Sequence, residues 1–235
     1  MGKMKLDHVV YFSKKTPGEI VQEKKALGYH VVIGGQHKQW GTENALLYVK
    51  NAYVEWLTTR DLEIMQQATN PLIKLYRLDL EEGEGWGTIC LSVNQIDQYN
   101  EQLQKKGYKT SGVINAERKT TSGQIRKWKM LFIEEEPSVQ LPFPFFIEWE
   151  QDDEERLAVL RQDGTILPAN EQLTLTKCLF QVKDPEQVVA RWADLFELVT
   201  IDHHTIELEN SRLSFIACEE NEKERLIDIT IEYKP

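Results

Sequence analysis

Short apolar runs, separated by Gly and polar residues, recur along the chain, and each set of runs contains one segment with helical spacing. Runs rich in β-branched and aromatic residues favour strands, whereas Thr16-Pro17 is typical of a helix start. Gly28 then marks the end of that helix. The first set predicts a strand at 6–12, a helix at 16–27 and strands at 29–33, 45–49 and 52–57. The order is β-α-β-β-β.

The same order returns twice, with a repeat of roughly 80 residues, and such a repeat sets the fold class. The second set predicts strand 88–93, helix 95–106, strands 108–114, 125–132 and 145–149, and a turn at 120–123. The third predicts strand 173–182, a helix from 184 to 196, and strands 205–208, 213–218 and 226–233. An irregular helical stretch divided at Pro71 covers 61–80, and 151–169 is interpreted as a connection. We therefore predict an α+β protein built from three such modules. The first two, at 5–60 and 85–150, pair to form one domain that covers residues 5–150, and the third module covers residues 173–234.

The stretch 34–44 is too rich in Gly and polar residues for an ordinary strand and too short for a free linker. It is therefore expected to place four side chains at the rim of a site, those of His37, Trp40, Thr42 and Asn44. His37 either contacts a ligand oxygen, as histidine can near neutral pH, or braces the Gly-Gly turn. Trp40 either covers the ligand or anchors the packing. Thr42 and Asn44 bond either a ligand or nearby backbone, and the backbone role is favoured for Asn44.

Several spaced motifs agree with one family. They are Gly34-Gly35-x-His37-x-x-Trp40-Gly41-Thr42-x-Asn44, then Tyr53-x-Glu55, Trp128, and Pro142-Phe143-x-Phe145-Phe146-Ile147-Glu148-Trp149. With the repeated β-α-β-β-β order, they resemble the bacterial glyoxalase-like domain family of the vicinal oxygen chelate superfamily, which includes glyoxalase I, extradiol dioxygenases and fosfomycin-resistance proteins. The resemblance covers residues 5–150, and it covers the third module only through its order of elements.

This resemblance implies paired modules that curl into a half-open sheet around a cavity, with metal ligands on the first and last strands of each module. It gives His8 and Glu55 in the first module, and Thr88 and Glu148 at the equivalent positions of the second. The hydroxyl of Thr88 is a poor ligand. His8, Glu55 and Glu148 would then hold a divalent ion such as Mn, Fe, Ni, Co or Zn, with open positions for a substrate whose adjacent oxygens it would chelate.

Without an ion, His8 is a hydrogen-bonded inward-facing histidine, and the carboxylates are the polar walls of a pocket. Glu55 or Glu148 can then serve as a general base, with a pKa raised by burial. No cofactor would be needed in that case.

Basic residues cluster in the predicted hairpin of the second module, at Arg118, Lys119, Arg126, Lys127 and Lys129. Strand alternation places Arg126, Trp128 and Met130 on one face. If that face lines the cavity, Arg126 and Trp128 contact the substrate, and Arg126 selects a carboxylate or a phosphate. The alternative is a solvated hairpin.

Composition narrows the class of partner. The net charge is -10, from 38 acidic and 28 basic residues, and nucleic-acid binders usually carry a basic face. No apolar run approaches the ~18 residues of a membrane span, and no signal peptide is expected. The three cysteines, Cys90, Cys178 and Cys218, lack CxxC or zinc-site spacing, which suits a reducing compartment. A cytoplasmic protein is the expectation.

Two functions follow as hypotheses. The favoured one is a glyoxalase- or dioxygenase-like enzyme, a lyase, isomerase or dioxygenase, with His8, Glu55 and Glu148 as its polar centre, His37 as a further contact and Thr88 in the wall. The alternative is a non-catalytic small-molecule binder or resistance protein, which the loss of a ligand at Thr88 favours. The third module is expected to close the cavity or to form a homodimer.

Overall fold

The computed structural model describes residues 4–119 and 125–234. Its first unit has the predicted β-α-β-β-β order. The elements are β1 (Lys5–Ser13), α1 (Pro17–Ala26), β2 (Val32–His37), β3 (Thr42–Tyr48) and β4 (Tyr53–Thr59). Thr16 caps α1 through a capping box with Glu19, and Pro17 occupies its first turn, as that sequence predicts.

The second unit follows two helices, α2 (Leu62–Gln67) and α3 (Pro71–Glu82), so the predicted division at Pro71 is confirmed. Its elements are β5 (Gly85–Ser92), α4 (Ile96–Lys105), β6 (Ile114–Lys119), β7 (Ile125–Leu131) and β8 (Phe145–Trp149). Both units form one curved eight-stranded sheet of order β2-β3-β4-β1-β5-β8-β7-β6. The predicted α+β class with repeated modules is therefore confirmed.

The third unit has its own five-stranded sheet. Its elements are β9 (Leu173–Val182), α7 (Pro185–Phe196), β10 (Val199–Asp202), β11 (Thr205–Glu207), β12 (Arg212–Ala217) and β13 (Arg225–Tyr233). β9 pairs in parallel with β12, as β1 pairs with β4, and β13 pairs antiparallel with β9, as β5 pairs with β1. β13 is thus an additional strand beyond the module. No helix among residues 4–119 and 125–234 is long and apolar enough to cross a membrane.

Four local predictions differ from the structure. The Gly-rich stretch 34–44 is a β-hairpin, because β2 extends through it to His37 and β3 begins at Thr42. The predicted connection 151–169 contains α5 (Asp153–Gln162) and the start of α6 (Pro168–Glu171). The strand predicted at 108–114 begins only at Ile114, and the prediction missed β10. The turn predicted at 120–123 lies outside the described residues.

The two faces of the large sheet have different neighbours. One face carries Val9, Ile89 and Leu91 and joins α1, α4 and the third unit in a continuous apolar core. The other face carries Val10, Leu57 and Met130 and packs against α3. We call this second face the cavity face, because the part that α3 leaves uncovered forms the candidate site. Cys90 and Cys178 are both buried free cysteines.

Polar side chains join the third unit to the first two. The buried guanidinium of Arg225 contacts both carboxylate oxygens of Asp79 in α3, at 2.9 and 3.1 Å. Asn210 accepts from the Leu6 N–H at 2.8 Å and donates to the carbonyls of Leu6 and Asn51, at 2.9 and 2.7 Å. Each of these side chains satisfies backbone or charged groups that would otherwise be left unpaired in the junction.

We expect Asn210→Ala to lower the free energy of unfolding by about 2–3 kcal/mol, since three hydrogen bonds of roughly 1 kcal/mol each are lost. Urea denaturation measures the change, and Asn221→Ala, at an exposed position, is the matched control. Equal midpoints for the two variants would show that the junction does not depend on Asn210.

Candidate functional site

A small cavity of about 60 Å³ lies on the cavity face. Its walls are mostly aromatic, and its polar groups come from both modules. The lining includes His8, His37, Trp40, Thr42, Asn44, Tyr48, Tyr53, Glu55, Arg126, Trp128 and Trp149. A water molecule in the liquid takes ~30 Å³, so in this conformation the cavity suits a ligand of few heavy atoms.

The centre of the cavity is a row of buried ionisable groups. His8 Nδ1 lies 2.6 Å from Asp7 Oδ1, and His8 Nε2 lies 3.4 Å from Glu55 Oε2. The imidazole stacks on Tyr53 with 4.4 Å between ring centroids. Trp149 Nε1 donates to Asp7 Oδ2 at 2.8 Å. We call Asp7, His8 and Glu55 the buried triplet.

Strand register brings the triplet together. β1 and β4 are parallel neighbours, with His8 opposite Tyr53 and Val10 opposite Glu55, so His8 and Glu55 share the cavity face. Adjacent residues of a regular strand point to opposite faces, yet Asp7 reaches His8. A register shift in the β1–β5 pairing between Leu6 and His8 breaks that alternation, as a β-bulge does.

The Gly-rich hairpin holds the other end of the triplet through Asn44. Asn44 Nδ2 donates to Glu55 Oε1 at 2.5 Å, and its Oδ1 accepts from the Gly35 N–H at 2.7 Å. A Cβ at Gly34 would lie 1.9 Å from that same Oδ1, so only glycine allows this approach. The side chain of Asn44 therefore has the backbone contact favoured from the sequence and also faces the cavity.

The charges in the triplet are coupled. Burial alone would lower the pKa of His8, but the Cys90 sulfur and the Asp7 and Glu55 carboxylates around the ring raise it well above its usual value. Burial alone would raise the pKa of Asp7 and of Glu55, and contact with His8 lowers both, helped by Arg156 at Asp7 and by His37 and Asn44 at Glu55. The contacts within the triplet therefore favour the protonated form of His8 and the ionised forms of Asp7 and Glu55.

The rim residues of the hairpin line the cavity as a group. His37 Nδ1 lies 3.1 Å from Thr42 Oγ1, and the His37 and Trp40 rings lie 5.7 Å apart. Thr42 is fully buried. His37 therefore both faces the cavity and contacts the turn, so the two interpretations of this side chain describe one arrangement.

The predicted set of His8, Glu55 and Glu148 does not converge. In the antiparallel pair of β1 and β5, Val9 lies opposite Ile89, and the two modules are related to each other about this pair of residues. The residue of the second module that is equivalent to His8 is therefore Thr88, and the residue equivalent to Val10 is Cys90. Since Glu55 pairs with Val10 and Phe145 pairs with Cys90, the counterpart of Glu55 is Phe145.

Glu148 lies three residues beyond Phe145, and an odd offset in a strand turns a side chain to the opposite face. Its carboxylate accepts from the N–H groups of Gln95 and Ile96 at the start of α4, at 2.6 and 3.4 Å. The role of Glu148 in the structure is therefore to cap a helix on the far face of the sheet. The family resemblance implied that Glu148 is equivalent to Glu55, and the strand register contradicts that equivalence.

Thr88 also lies apart from the His8 cavity. It is buried and lines a neighbouring cleft of about 170 Å³, together with Phe132 and Phe145. It is not among the described residues that line the cavity at His8, so the structure does not place it against the same ligand.

The donor set does not fit a divalent ion held by both modules. The two modules have four equivalent ligand positions, two in each module. In the first module they are occupied by His8 and Glu55, which are ordinary metal ligands. In the second module they are occupied by Thr88 and Phe145, which are not. A second group of donors, Asp7, His8 and Cys90, lies within 4.8 Å. Burial raises the pKa of the Cys90 thiol to about 12, so an ion bound by this second group would have to displace the thiol proton.

The basic hairpin contributes to the cavity as its alternation predicts. Arg126 and Trp128 both line it, and only 6% of Arg126 is exposed. Arg126 Nη2 lies 3.0 Å from Asp163 Oδ2. Trp128 and Trp149 lie side by side with 5.4 Å between ring centroids. Arg126 is therefore a buried cation at the cavity rather than part of a solvated hairpin.

Sequence reasoning missed several side chains at this site. Asp7 is adjacent to His8 in the sequence, but the alternation of a regular strand would place its side chain on the opposite face. Tyr48 and Tyr53 line the wall, and the guanidinium of Arg156 lies over the Trp149 ring at 4.6 Å. Arg156 and Asp163 belong to the stretch interpreted as a connection, so no motif marked them.

The triplet predicts an unusual pH dependence of stability. The contribution of His8, whose pKa is raised by folding, is complete below the ordinary value of 6.5 and is lost as the pH rises through the folded value. The contributions of Asp7 and Glu55, whose pKa values are lowered, are complete above 3.8 and 4.5 and are lost as the pH falls. The signs follow from proton linkage.

We therefore expect His8→Gln to reduce the free energy of unfolding most between about pH 5 and 6.5, by about 3 kcal/mol, and less at alkaline pH. Urea denaturation across pH 4–10 is the measurement, and His203→Gln, at an exposed position, is the control. A loss that grows steadily with pH would contradict a buried imidazolium.

Comparison with known proteins agrees with this architecture. The sequence profile of the glyoxalase-like domain family matches residues 6–196. A hypothetical protein from Staphylococcus aureus is similar in structure, with a TM-score of 0.79 and 22% identity, over 98% of this chain and 91% of that one. This likeness shows the fold alone.

Weaker structural matches include two methylmalonyl-CoA epimerases. The Mycobacterium tuberculosis protein has a TM-score of 0.43 and 18% identity, over 65% of this chain and 91% of its own. The Streptomyces coelicolor protein has a TM-score of 0.40 and 14% identity, over 57% and 89%. No curated protein sequence matches. The family profile covers well over half of the chain, and the chain therefore belongs to the glyoxalase-like domain family.

Proposed function

We propose that this protein binds a small oxygenated metabolite in the His8 cavity and transfers a proton on it, as an isomerase or lyase does. The observation that carries the proposal is geometric: the buried carboxyl group of Glu55 lies 3.4 Å from Nε2 of the buried His8 ring, in an aromatic-walled cavity. Side chains with paired acid and base roles are the usual elements of general acid–base catalysis.

Glu55 is the base in this proposal. It removes a proton from the carbon next to a carbonyl, and the electron pair of the broken C–H bond moves to the carbonyl oxygen as an enolate forms. His8 stabilises that oxygen by donating from Nε2, as preorganised donors do where charge develops. Return of the proton to a different atom or face completes an isomerisation.

The spacing within the triplet supports these roles. A charged N–H···O⁻ hydrogen bond is typically ~2.7–2.9 Å long, whereas His8 Nε2 and Glu55 Oε2 are 3.4 Å apart. The side chains of His8 and Glu55 are close enough to shift each other's pKa, but no short hydrogen bond joins them. A ligand oxygen can therefore compete with Glu55 for the proton on His8 Nε2. Asp7, at 2.6 Å from Nδ1, holds the ring and is a positioning residue.

A second candidate function is binding without catalysis, and one observation favours it. His8, His37 and Asn44 together lower the pKa of Glu55 against the effect of burial, and a weaker base removes protons from carbon more slowly. A carrier or resistance protein would keep the cavity and need no proton transfer.

Hydrogen exchange separates the two functions. We expect α-keto acids and α-hydroxy ketones incubated with the protein in D2O to gain deuterium at the carbon next to the carbonyl, observed by NMR. Glu55→Gln should lower that rate by ~10²-fold or more, the usual size of a general-base contribution, while binding read by tryptophan fluorescence remains. Binding without exchange by the native protein would favour the carrier.

We expect chelation to leave this exchange and binding unchanged, because two donors from one module do not make a complete divalent site. Treatment with EDTA, followed by return of Mn²⁺, Co²⁺, Ni²⁺, Fe²⁺ or Zn²⁺, is the test. If chelation abolished deuterium exchange and the return of one of these ions restored it, the metal hypothesis would hold, with His8 and Glu55 as ligands of the ion.

A further inference from the structure

We propose that Asp163 occupies the anion-binding position of the cavity by pairing with Arg126, and that the ligand carries a carboxylate that replaces it. This inference rests on the proposed function and specifies the class of its substrate. It assigns a role to the segment 152–171, which lies outside both modules. Most of this segment belongs to the stretch 151–169, which the sequence suggested was only a connection.

Arg126 is the fixed partner of the pair. It lies on β7 with Trp128 and Met130 on the cavity face, and 6% of the residue is exposed. A guanidinium stays charged at any pH that a protein tolerates, and a buried charge needs an opposite charge or several hydrogen bonds. Asp163 supplies one such opposite charge to Arg126.

Asp163 is the exchangeable partner. It ends α5, its side chain is 25% exposed, and its Oδ2 lies 3.0 Å from Arg126 Nη2. Its other oxygen, Oδ1, accepts from the Thr165 N–H at 3.0 Å. When a ligand takes the guanidinium, Asp163 can turn its Oδ2 to water and keep its bond to Thr165, so the exchange costs Asp163 little.

The segment that carries Asp163 has its own anchors. His30 Nε2 lies 3.0 Å from the Gly164 carbonyl oxygen, and Asn170 donates to the carbonyls of His30 and Tyr48. Leu160 and Ile166 pack on apolar residues of β3 and β4. Neutralising Asp163 therefore removes one charge without releasing the segment, which makes the pair testable.

A carboxylate is the anion that these observations favour. The internal occupant is itself a carboxylate, whose planar geometry matches a guanidinium, and the cavity of about 60 Å³ is small. With its carboxylate at Arg126, a ligand would lie between the tryptophan walls and direct a second oxygen at the His8 end. The class is thus a short carboxylic acid with a carbonyl or hydroxyl oxygen beside the acid group.

The test compares pyruvate with its neutral analogue pyruvamide, by calorimetry and tryptophan fluorescence. In Asp163→Asn we expect pyruvate to bind about tenfold more tightly than in the native protein, since a competing charged hydrogen bond is gone, and pyruvamide to bind as before. In Arg126→Gln we expect at least tenfold weaker pyruvate binding. Glu171→Gln breaks an exposed pair with Arg161 in the same segment and should change neither affinity.

Equal pyruvate affinities in native protein and Asp163→Asn would overturn the proposal, as would an equal gain for pyruvamide or no pyruvate binding at millimolar concentrations. Thermal unfolding checks that the variant folds, and Asp163→Ser is the second variant if it does not. The proposed function fails separately: it fails if Glu55→Gln leaves deuterium exchange unchanged, whatever the Asp163 variants do.

Discussion

Placing three ionisable side chains in the interior is the constraint on which the rest of this site depends. Each charge of Asp7, His8 and Glu55 would be costly alone in a low-dielectric interior, and each is tolerated because a partner lies beside it. The partners must therefore be held in place. A bulge brings Asp7 beside His8, the parallel register of β1 and β4 brings Glu55, and Asn44 holds Glu55 from the hairpin.

The glycines of that hairpin are part of the same constraint. Gly34 leaves the space that the Asn44 side chain needs, and Asn44 in turn connects the hairpin backbone to Glu55. Gly41 has a φ of 66°, and a Cβ there would lie 2.4 Å from the Asp61 carbonyl oxygen. The family motif around these glycines thus encodes the close approach of backbone to a polar network.

The two modules share a backbone plan but not a chemistry. The two modules are related about the paired residues Val9 and Ile89. Under this relation, His8 and Glu55 of the first module are equivalent to Thr88 and Phe145 of the second. The polar centre therefore belongs to one half of the sheet. The second module instead supplies a buried cation and aromatic walls, and the segment after it supplies Asp163, which pairs with that cation.

The sequence by itself determined the repeated modules, the family, and that Arg126 and Trp128 share one side of β7, because periodicity and short motifs are local properties. It also identified His8, Glu55, His37 and Asn44, which the structure brings together at one cavity. Only the tertiary structure decided that Glu148 faces away, since a single-residue change in register reverses a side chain. Only the fold likewise brings Asp7, Arg156 and Asp163 to the site, because a bulge and contacts between distant segments leave no local pattern in the sequence.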